Sequence, residues 1–227
     1  MSRRSADVTP ELVLRAYRAG LFPMAEDRDS EILHWLDPPR RGILPLEGFH
    51  VPRRLMKSVR ADLYQVTVDT AFAETLHGCA APLPGREQTW INPQIERLFT
   101  DLHVAGYAHS VECWAPGATP RTLVGGLYGV ALGAAFFGES MFSTARDASK
   151  IALVHLIARL RLGGFHLLDT QFVTPHLAQF GACEVPRHRY KAMLAEAVAA
   201  PARFTAAPPA AQLNAAIAAL GQPPPAR

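Results

Sequence analysis

Three side chains stand out because ionisable and amide groups sit inside otherwise apolar runs. Glu139 lies within AAFFGESMF, and Asp169 and Gln171 lie within LLDTQF. Strand alternation predicts that Asp169 and Gln171 share one face, roughly 6.5–7 Å apart along the chain. A buried carboxylate costs several kcal/mol unless it is paired or hydrogen-bonded. Two arrangements meet that cost: an exposed strand end or an arginine partner on one hand, a site that uses the groups on the other. A second cluster is basic. In VPRRLMKSVR, Arg53, Lys57 and Arg60 fall at i, i+4 and i+7 and share a helical face, with Arg54 beside them and Leu55, Met56 and Val59 turned inward. Such a face is either a solvated surface or a contact for phosphates. Trp90, next to a polar loop, has the choice of stacking on a base or filling a core.

Other chemistries leave no trace. The nine histidines form no HxxxH or HExxH pattern and no cluster with cysteine, so no metal site is expected. GxSxG, Walker A and GxGxxG patterns are missing as well. Gly125, Gly126, Gly129 and Gly133 lie in apolar strand context and are expected to permit close packing or bending.

The elements that must position these groups follow from caps and periodicity. Thr9, Pro10 and Gly20 bracket a helix, and the following GLFPMAEDRDS reads as loop. RGILPL and YQVTVD read as strands, and Asp69 is expected to cap a helix reaching Cys79. APLPGREQT, with Arg86 and Glu87, reads as an exposed loop. Asn92 and Pro93 start a helix whose Ile95, Leu98, Phe99 and Leu102 recur at 3.6-residue spacing. HSVECWA, TLVGGLYGVALG and AAFFGESMF read as successive strands. Asp147 is expected to cap the apolar helix ASKIALVHLIARLRL. FHLLDTQF reads as a buried strand, TPHLAQFG as a short helix and PRHRYKAMLAEAVA as a last long one. The expected class is α/β (α+β): a small N-terminal domain over 1–45, a core with a mixed β-sheet flanked by helices over 46–198, and an Ala/Pro-rich tail over 199–227. That tail is expected to be mobile apart from a short Ala-rich helix at 210–220.

Composition bounds the class further. Over 227 residues, 49% are hydrophobic and 19% charged, which excludes wholesale disorder. The net charge of +3 means that a polyanion would need a local basic patch. Three cysteines without a CxxC pair speak against a disulfide framework. With no apolar leader and no uninterrupted apolar stretch of about 18 residues, a cytoplasmic protein without a membrane partner is expected.

Taken together, AYRAGLFPM, TWINP, GYAHSVE, GGLYGVALG, FFGESMFS followed by DASKIAL, LLDTQF and FGACEVPR resemble the leucyl/phenylalanyl-tRNA–protein transferases. These strings run in order from about Leu12 to Ala197. The resemblance implies a small N-terminal domain and an acyltransferase core of the GNAT type. It also implies transfer of Leu or Phe, less well Met, from aminoacyl-tRNA to the N-terminal Arg or Lys of an acceptor protein, creating an N-degron for proteolysis. No cofactor is implied, and the chain is expected to act as a monomer. Carried over residue by residue, the resemblance makes Gln171, Asp169 and Glu139 the active-site groups; the chemistry of the transfer then has Asp169 orient and polarise the Gln171 amide, while Glu139 attracts the acceptor's cationic side chain or organises the site. Leu127, Phe136, Met141, Leu156 and Leu160 become the aminoacyl pocket. Trp90 takes the place of a Trp that contacts the donor's terminal adenosine. The sequence departs from the family at Met24, where several members carry Trp in FPW. Arg53, Arg54, Lys57 and Arg60 are the tRNA-binding candidates. Two other readings remain at this point: a CoA-dependent GNAT-type N-acetyltransferase, disfavoured because the pyrophosphate signature Arg/Gln-x-x-Gly-x-Gly/Ala is missing, and a noncatalytic RNA-binding module, disfavoured by the inward carboxylates and amide.

Overall fold

A computed structural model describes residues 3–4, 8–82, 87–117 and 119–221. Arg86 and the last six residues, on which expectations were set, lie outside the described residues. The chain is α/β, built on two sheets. The smaller is antiparallel, in the order β1 (Arg3–Arg4), β3 (Ile32–Leu36), β2 (Phe22–Ala25). The larger has seven strands in the order β10 (Cys183–Pro186), β4 (Arg40–Ile43), β9 (Leu167–Gln171), β8 (Ala135–Ser143), β7 (Leu123–Leu132), β6 (Ala108–Trp114), β5 (Gln65–Val68). All its pairs are antiparallel except β8 and β9. Two parallel neighbours need a long crossover, and α5 (Ala148–Leu162) supplies it.

Helices cover both faces of this sheet. On one lie α5, α2 (Arg53–Arg60) and α8 (Ala210–Leu220); on the other lie α1 (Pro10–Arg18), α3 (Phe72–Ala80), α4 (Pro93–Val104) and α7 (Arg187–Ala199), while the one-turn α6 (Pro175–Ala178) follows β9. Each face has its own apolar core. Leu76, Phe99, Tyr128 and Phe137 belong to the first, under α3 and α4. Leu127, Phe136, Leu156 and Leu168 belong to the second, under α5. The alternation of β7 explains the division, since Leu127 and Tyr128 are neighbours that face opposite ways.

Local chemistry accounts for the helix starts. The Asn92 side chain accepts from the Ile95 N–H at 2.8 Å with Pro93 in the first turn, and Thr9 caps α1 through the Leu12 N–H at 3.3 Å. Two expected caps are corrected. Asp69 precedes α3 by three residues and instead accepts from the Ser110 N–H and meets His109 Nδ1. Asp147 stands immediately before α5 at φ +60° but makes no capping bond; its carboxylate pairs with Lys150 at 3.0 Å. The segment expected as loop after Gly20 holds β2, because its backbone finds a partner in β3. Although it precedes residue 46, β4 joins the large sheet between β9 and β10. The expectation of a mobile tail is corrected as well. The helix forms over Ala210–Leu220 as anticipated, with Ile217 and Leu220 buried. Phe204 packs on Phe136 and Phe165, and Arg159 Nε donates to the Ala206 carbonyl at 3.2 Å, so apolar burial and backbone bonds hold the strap down.

Candidate active site

The parallel seam between β8 and β9 ends at the pair Phe137–Asp169. Beyond it the strands part, and a cavity of about 600 Å³ fills the gap. Its lining comes from both cores. Leu127, Met141, Leu153, Leu156, Leu168 and Leu177 line the side toward α5, joined by Ser149 and His176. Phe22, Pro23, Met24, Trp90, Tyr128, Glu139 and Gln171 line the side toward the N-terminal sheet.

Two ladder irregularities aim the polar groups. The β7–β8 register shifts after Tyr128, with Tyr128 opposite Ser140 and Gly129 opposite Gly138, so Glu139 is the extra residue of a bulge. Bulges of this kind re-aim side chains. The β4–β9 register shifts likewise, Gly42 facing Gln171 and Ile43 facing Asp169, which leaves Thr170 extra. Gln171 then adopts φ +56°, and the Phe172 N–H bonds to the Thr170 carbonyl at 2.5 Å. Gln171 is thus the centre of a three-residue turn in the left-handed region, an uncommon conformation for a non-glycine residue. Plain strand alternation therefore holds as far as Asp169 and breaks before Gln171.

Asp169 is fully buried and saturated. Arg41, itself 1% exposed, donates from Nη2 to Oδ2 at 2.7 Å and from Nε to Oδ1 at 3.0 Å. The Tyr190 hydroxyl donates to Oδ2 at 2.6 Å, and the Gln171 backbone N–H donates to Oδ1 at 2.8 Å. Arg41 also reaches the Gly20 carbonyl at 3.1 Å and lies against the rings of Phe22 and Tyr190. Burial, followed by the Asp169 charge, pushes the Tyr190 phenol far above its ordinary range, so it remains a donor. The expected polarisation of the Gln171 side chain by Asp169 is corrected: the carboxylate grips that residue's backbone and does not line the cavity.

Glu139 holds the side-chain amide instead. Its Oε1 accepts from Gln171 Nε2 at 3.3 Å and from the Tyr17 hydroxyl at 2.7 Å. With the NH₂ group committed to a carboxylate, the amide oxygen of Gln171 is its free end. Desolvation raises the Glu139 carboxyl to about 8, assisted by the charge of Asp169 and opposed by the Tyr17 hydrogen bond and by Arg41. Burial and Glu139 likewise keep Tyr17 protonated.

Of the expected aminoacyl pocket, Leu127, Met141 and Leu156 line the cavity. Phe136 and Leu160 do not: both are fully buried, and Phe136 sits one layer back against Phe165 and Phe204. One helical turn separates Leu156 from Leu160, but only Leu156 falls where α5 borders the gap. Trp90 and Met24 line the same side of the cavity. Away from the site, Arg53, Arg54, Lys57 and Arg60 are exposed on α2 and form no salt bridge with a described residue, while Leu55, Met56 and Val59 are buried. Arg53, Lys57 and Arg60 border a shallow recess beside Gly221, at the end of α8.

Sequence reasoning missed Arg41, Tyr17 and Tyr190. The lone signal was the unmatched charge of Asp169, which demanded a cation without saying which one. Among the described residues, no group of three or more His, Cys, Asp or Glu side chains is arranged to hold a metal ion. No helix among them is long and apolar enough to cross a membrane.

A family model described as leucyl/phenylalanyl-tRNA protein transferase matches residues 43–195, and its N-terminal domain model matches residues 6–39. A leucyl/phenylalanyl-tRNA–protein transferase of Rhodopseudomonas palustris strain BisB18 is 59% identical over 204 residues, covering 90% of this chain and 87% of that protein. That of Nitrobacter winogradskyi is 58% identical over 210 residues, 92% of each chain. That of Maricaulis maris is 60% identical over 198 residues, 87% of this chain and 90% of the relative.

Proposed function

The chain belongs to the leucyl/phenylalanyl-tRNA–protein transferase family, and from that premise we propose how its cavity moves an aminoacyl group from tRNA to the N-terminal Arg or Lys of a protein. The observation that carries the reading is the meeting, in one cavity, of an apolar wall and the free end of the Gln171 amide. The esterified Leu or Phe lies against Leu127, Met141 and Leu156, where apolar burial contributes about 25 cal/mol per Å². Trp90 and Met24 flank the terminal adenosine, a thioether replacing one aromatic face. The exposed charges of Arg53, Arg54, Lys57 and Arg60 meet tRNA phosphates, contacts that position without reading sequence. The segment ahead of β4 acts as the small N-terminal unit, and its Phe22, Pro23 and Met24 supply one cavity wall.

The donor ester is already activated, and an α-amine with a pKa of about 7.7–8.0 is partly neutral near pH 7. Its N–H donates to the Gln171 amide oxygen, which aims the nitrogen lone pair at the ester carbonyl. The C–N bond forms, the bond from carbonyl carbon to the 3′ oxygen breaks, and the surplus amine proton passes through water or the ribose 2′ hydroxyl to the departing oxygen. Holding both reactants in register supplies up to about 7–11 kcal/mol, so no strong base is needed. Gln171 touches the reacting amine, whereas Asp169 is a positioning residue that acts through the Gln171 backbone.

The test is transfer of radiolabelled Leu from Leu-tRNA to an Arg-starting peptide, with labelled acetyl-CoA in a parallel reaction. Label from tRNA alone is the expected result. Label from acetyl-CoA would install the acetyltransferase reading, and label from neither would leave an RNA-binding module.

A further inference from the structure

Among the described residues, Ile32, Leu63, Val104, Tyr107, Leu162 and Phe172 are the large apolar side chains with substantial exposure. A lone exposed apolar residue is ordinary. Phe172 differs from the other five because it borders the cavity and directly follows Gln171. A ring that is 46% exposed and also lines the cavity stands at its mouth.

The ring is held in place there. Its N–H bonds to the Thr170 carbonyl, closing the turn that presents the Gln171 amide. Beneath the turn its backbone lies so close to Gly42 that a Cβ there would come within 2.5 Å. One side of the ring meets Phe22 at 5.8 Å between centroids and an interplanar angle of 81°. Phe22 is itself only 3% exposed and is backed by the Arg41 guanidinium. A buried neighbour thus props the ring, and its remaining surface is open. Thr170, Gln171 and Phe172 all line the cavity, so amide and ring are presented together by one short turn.

What reaches that surface follows from where the acceptor begins. Its α-amine meets the Gln171 amide oxygen, and its chain must leave through the mouth to join the rest of a protein. Successive Cα atoms lie 3.8 Å apart, so one step along the acceptor matches the one step from Gln171 to Phe172. The donor's side chain lies on the opposite wall, against Leu127, Met141 and Leu156, and its adenosine lies between Trp90 and Met24. Phe172 is the apolar surface left for the acceptor.

We propose that Phe172 is the platform for the second side chain of the acceptor and makes the enzyme favour an apolar residue there. This rests on the aminoacyl-transfer reading above and adds a second position of acceptor choice. The ring offers burial and dispersion but neither charge nor hydrogen bond, so Leu gains where Gly does not. Nothing in the contact depends on the transition state, and the gain therefore falls on KM.

The experiment uses two peptides that start with Arg and differ only in Leu or Gly at the second position, at saturating Leu-tRNA. Wild type is compared with Phe172→Ala and Phe172→Tyr, with thermal midpoints as the check on folding and the KM for Leu-tRNA measured alongside. Wild type should favour the Leu peptide by about fivefold or more in kcat/KM, the yield of partly burying a leucine side chain, and the difference should lie in KM. Phe172→Ala should bring that ratio below about twofold, and Phe172→Tyr should retain it. Equal use of both peptides by wild type would overturn the platform, as would a preference that survives in Phe172→Ala or one carried by kcat. A raised KM for Leu-tRNA with the peptide preference intact would give the ring to the donor's nucleotide instead. Wild type that labels neither peptide would sink the transfer reading itself, a result seen before any variant is made.

Discussion

Glu139 illustrates how one carboxyl answers to its whole surroundings. Tyr17 on α1, Tyr128 on β7, Asp169 and Gln171 on β9 and Arg41 on β4 all bear on it, and burial dominates, lifting it to about 8. Because the folded value exceeds the unfolded one, the folded state holds this proton more tightly. The resulting stability is fully present below about pH 4.5 and is lost as pH rises through 8. Glu139→Gln should therefore gain stability relative to wild type between pH 5 and 9, measured by denaturant midpoints across that range. The same titration sets the charge beside the Gln171 amide, so the pH profile of wild-type kcat/KM should carry a step near 8 that the Gln variant lacks. Deprotonation of the α-amine will still raise kcat in both. Asp169 and Gln171 separate in a different way. Asp169→Asn leaves Arg41 buried without a counter-charge, a loss of about 3–5 kcal/mol by denaturation, and transfer falls with it. Gln171→Ala should abolish most transfer while stability shifts by less than about 1 kcal/mol, since its side chain bonds Glu139 alone. Near-normal single-turnover transfer by that variant would remove Gln171 from the reaction.

At the level of strands and helices, the site exists because β4 runs beneath the turn at Gln171. A Cβ on Gly42 would come within 2.5 Å of the Phe172 carbonyl carbon and 2.8 Å of its oxygen. These are backbone atoms that cannot swing aside as a flexible side chain would. Gly42→Ala should push the Gln171–Phe172 segment off β4, cutting kcat by about tenfold or more and lowering the thermal midpoint, although residue 42 borders no part of the cavity. Unchanged kcat would show that the turn holds its shape without β4. The sequence made the long elements legible. The 3.6-residue stripe of α4 and the apolar runs of β7, β8 and α5 announce themselves, and the acid and amide residues within them were visible from type alone. Hidden were β2, interrupted by Pro23, and β10, a short exposed edge, since both owe their strand form to distant partners. Hidden too were the bulges at Glu139 and Thr170. Periodicity carries no mark of an extra residue, which is why alternation placed Asp169 and Gln171 as equivalents when one grips a backbone and the other faces a substrate.

Across the whole molecule, a net charge of only +3 leaves the exposed arginines and lysine of α2 as a local feature. Replacing Arg53, Arg54, Lys57 and Arg60 with Gln should flatten the log–log salt dependence of tRNA binding by about 0.7–0.9 per lost phosphate contact, measured by filter binding; an unchanged slope would exonerate α2. The C-terminal strap was misjudged for a related reason: Ala and Pro content describes an isolated chain, and it does not reveal that Phe204 and Leu220 find a core waiting for them. The ion pair of Arg41 with Asp169 spans most of the sequence, and it governs when the molecule can work as well as where. On the ribosome, Tyr17, Arg41 and Glu139 are made long before Asp169, Gln171 and Tyr190 emerge. A nascent chain with about two-thirds of the polypeptide emerged thus carries an unmatched arginine and no aligned amide. Competence arrives in a single late step, once the last strands leave the exit tunnel.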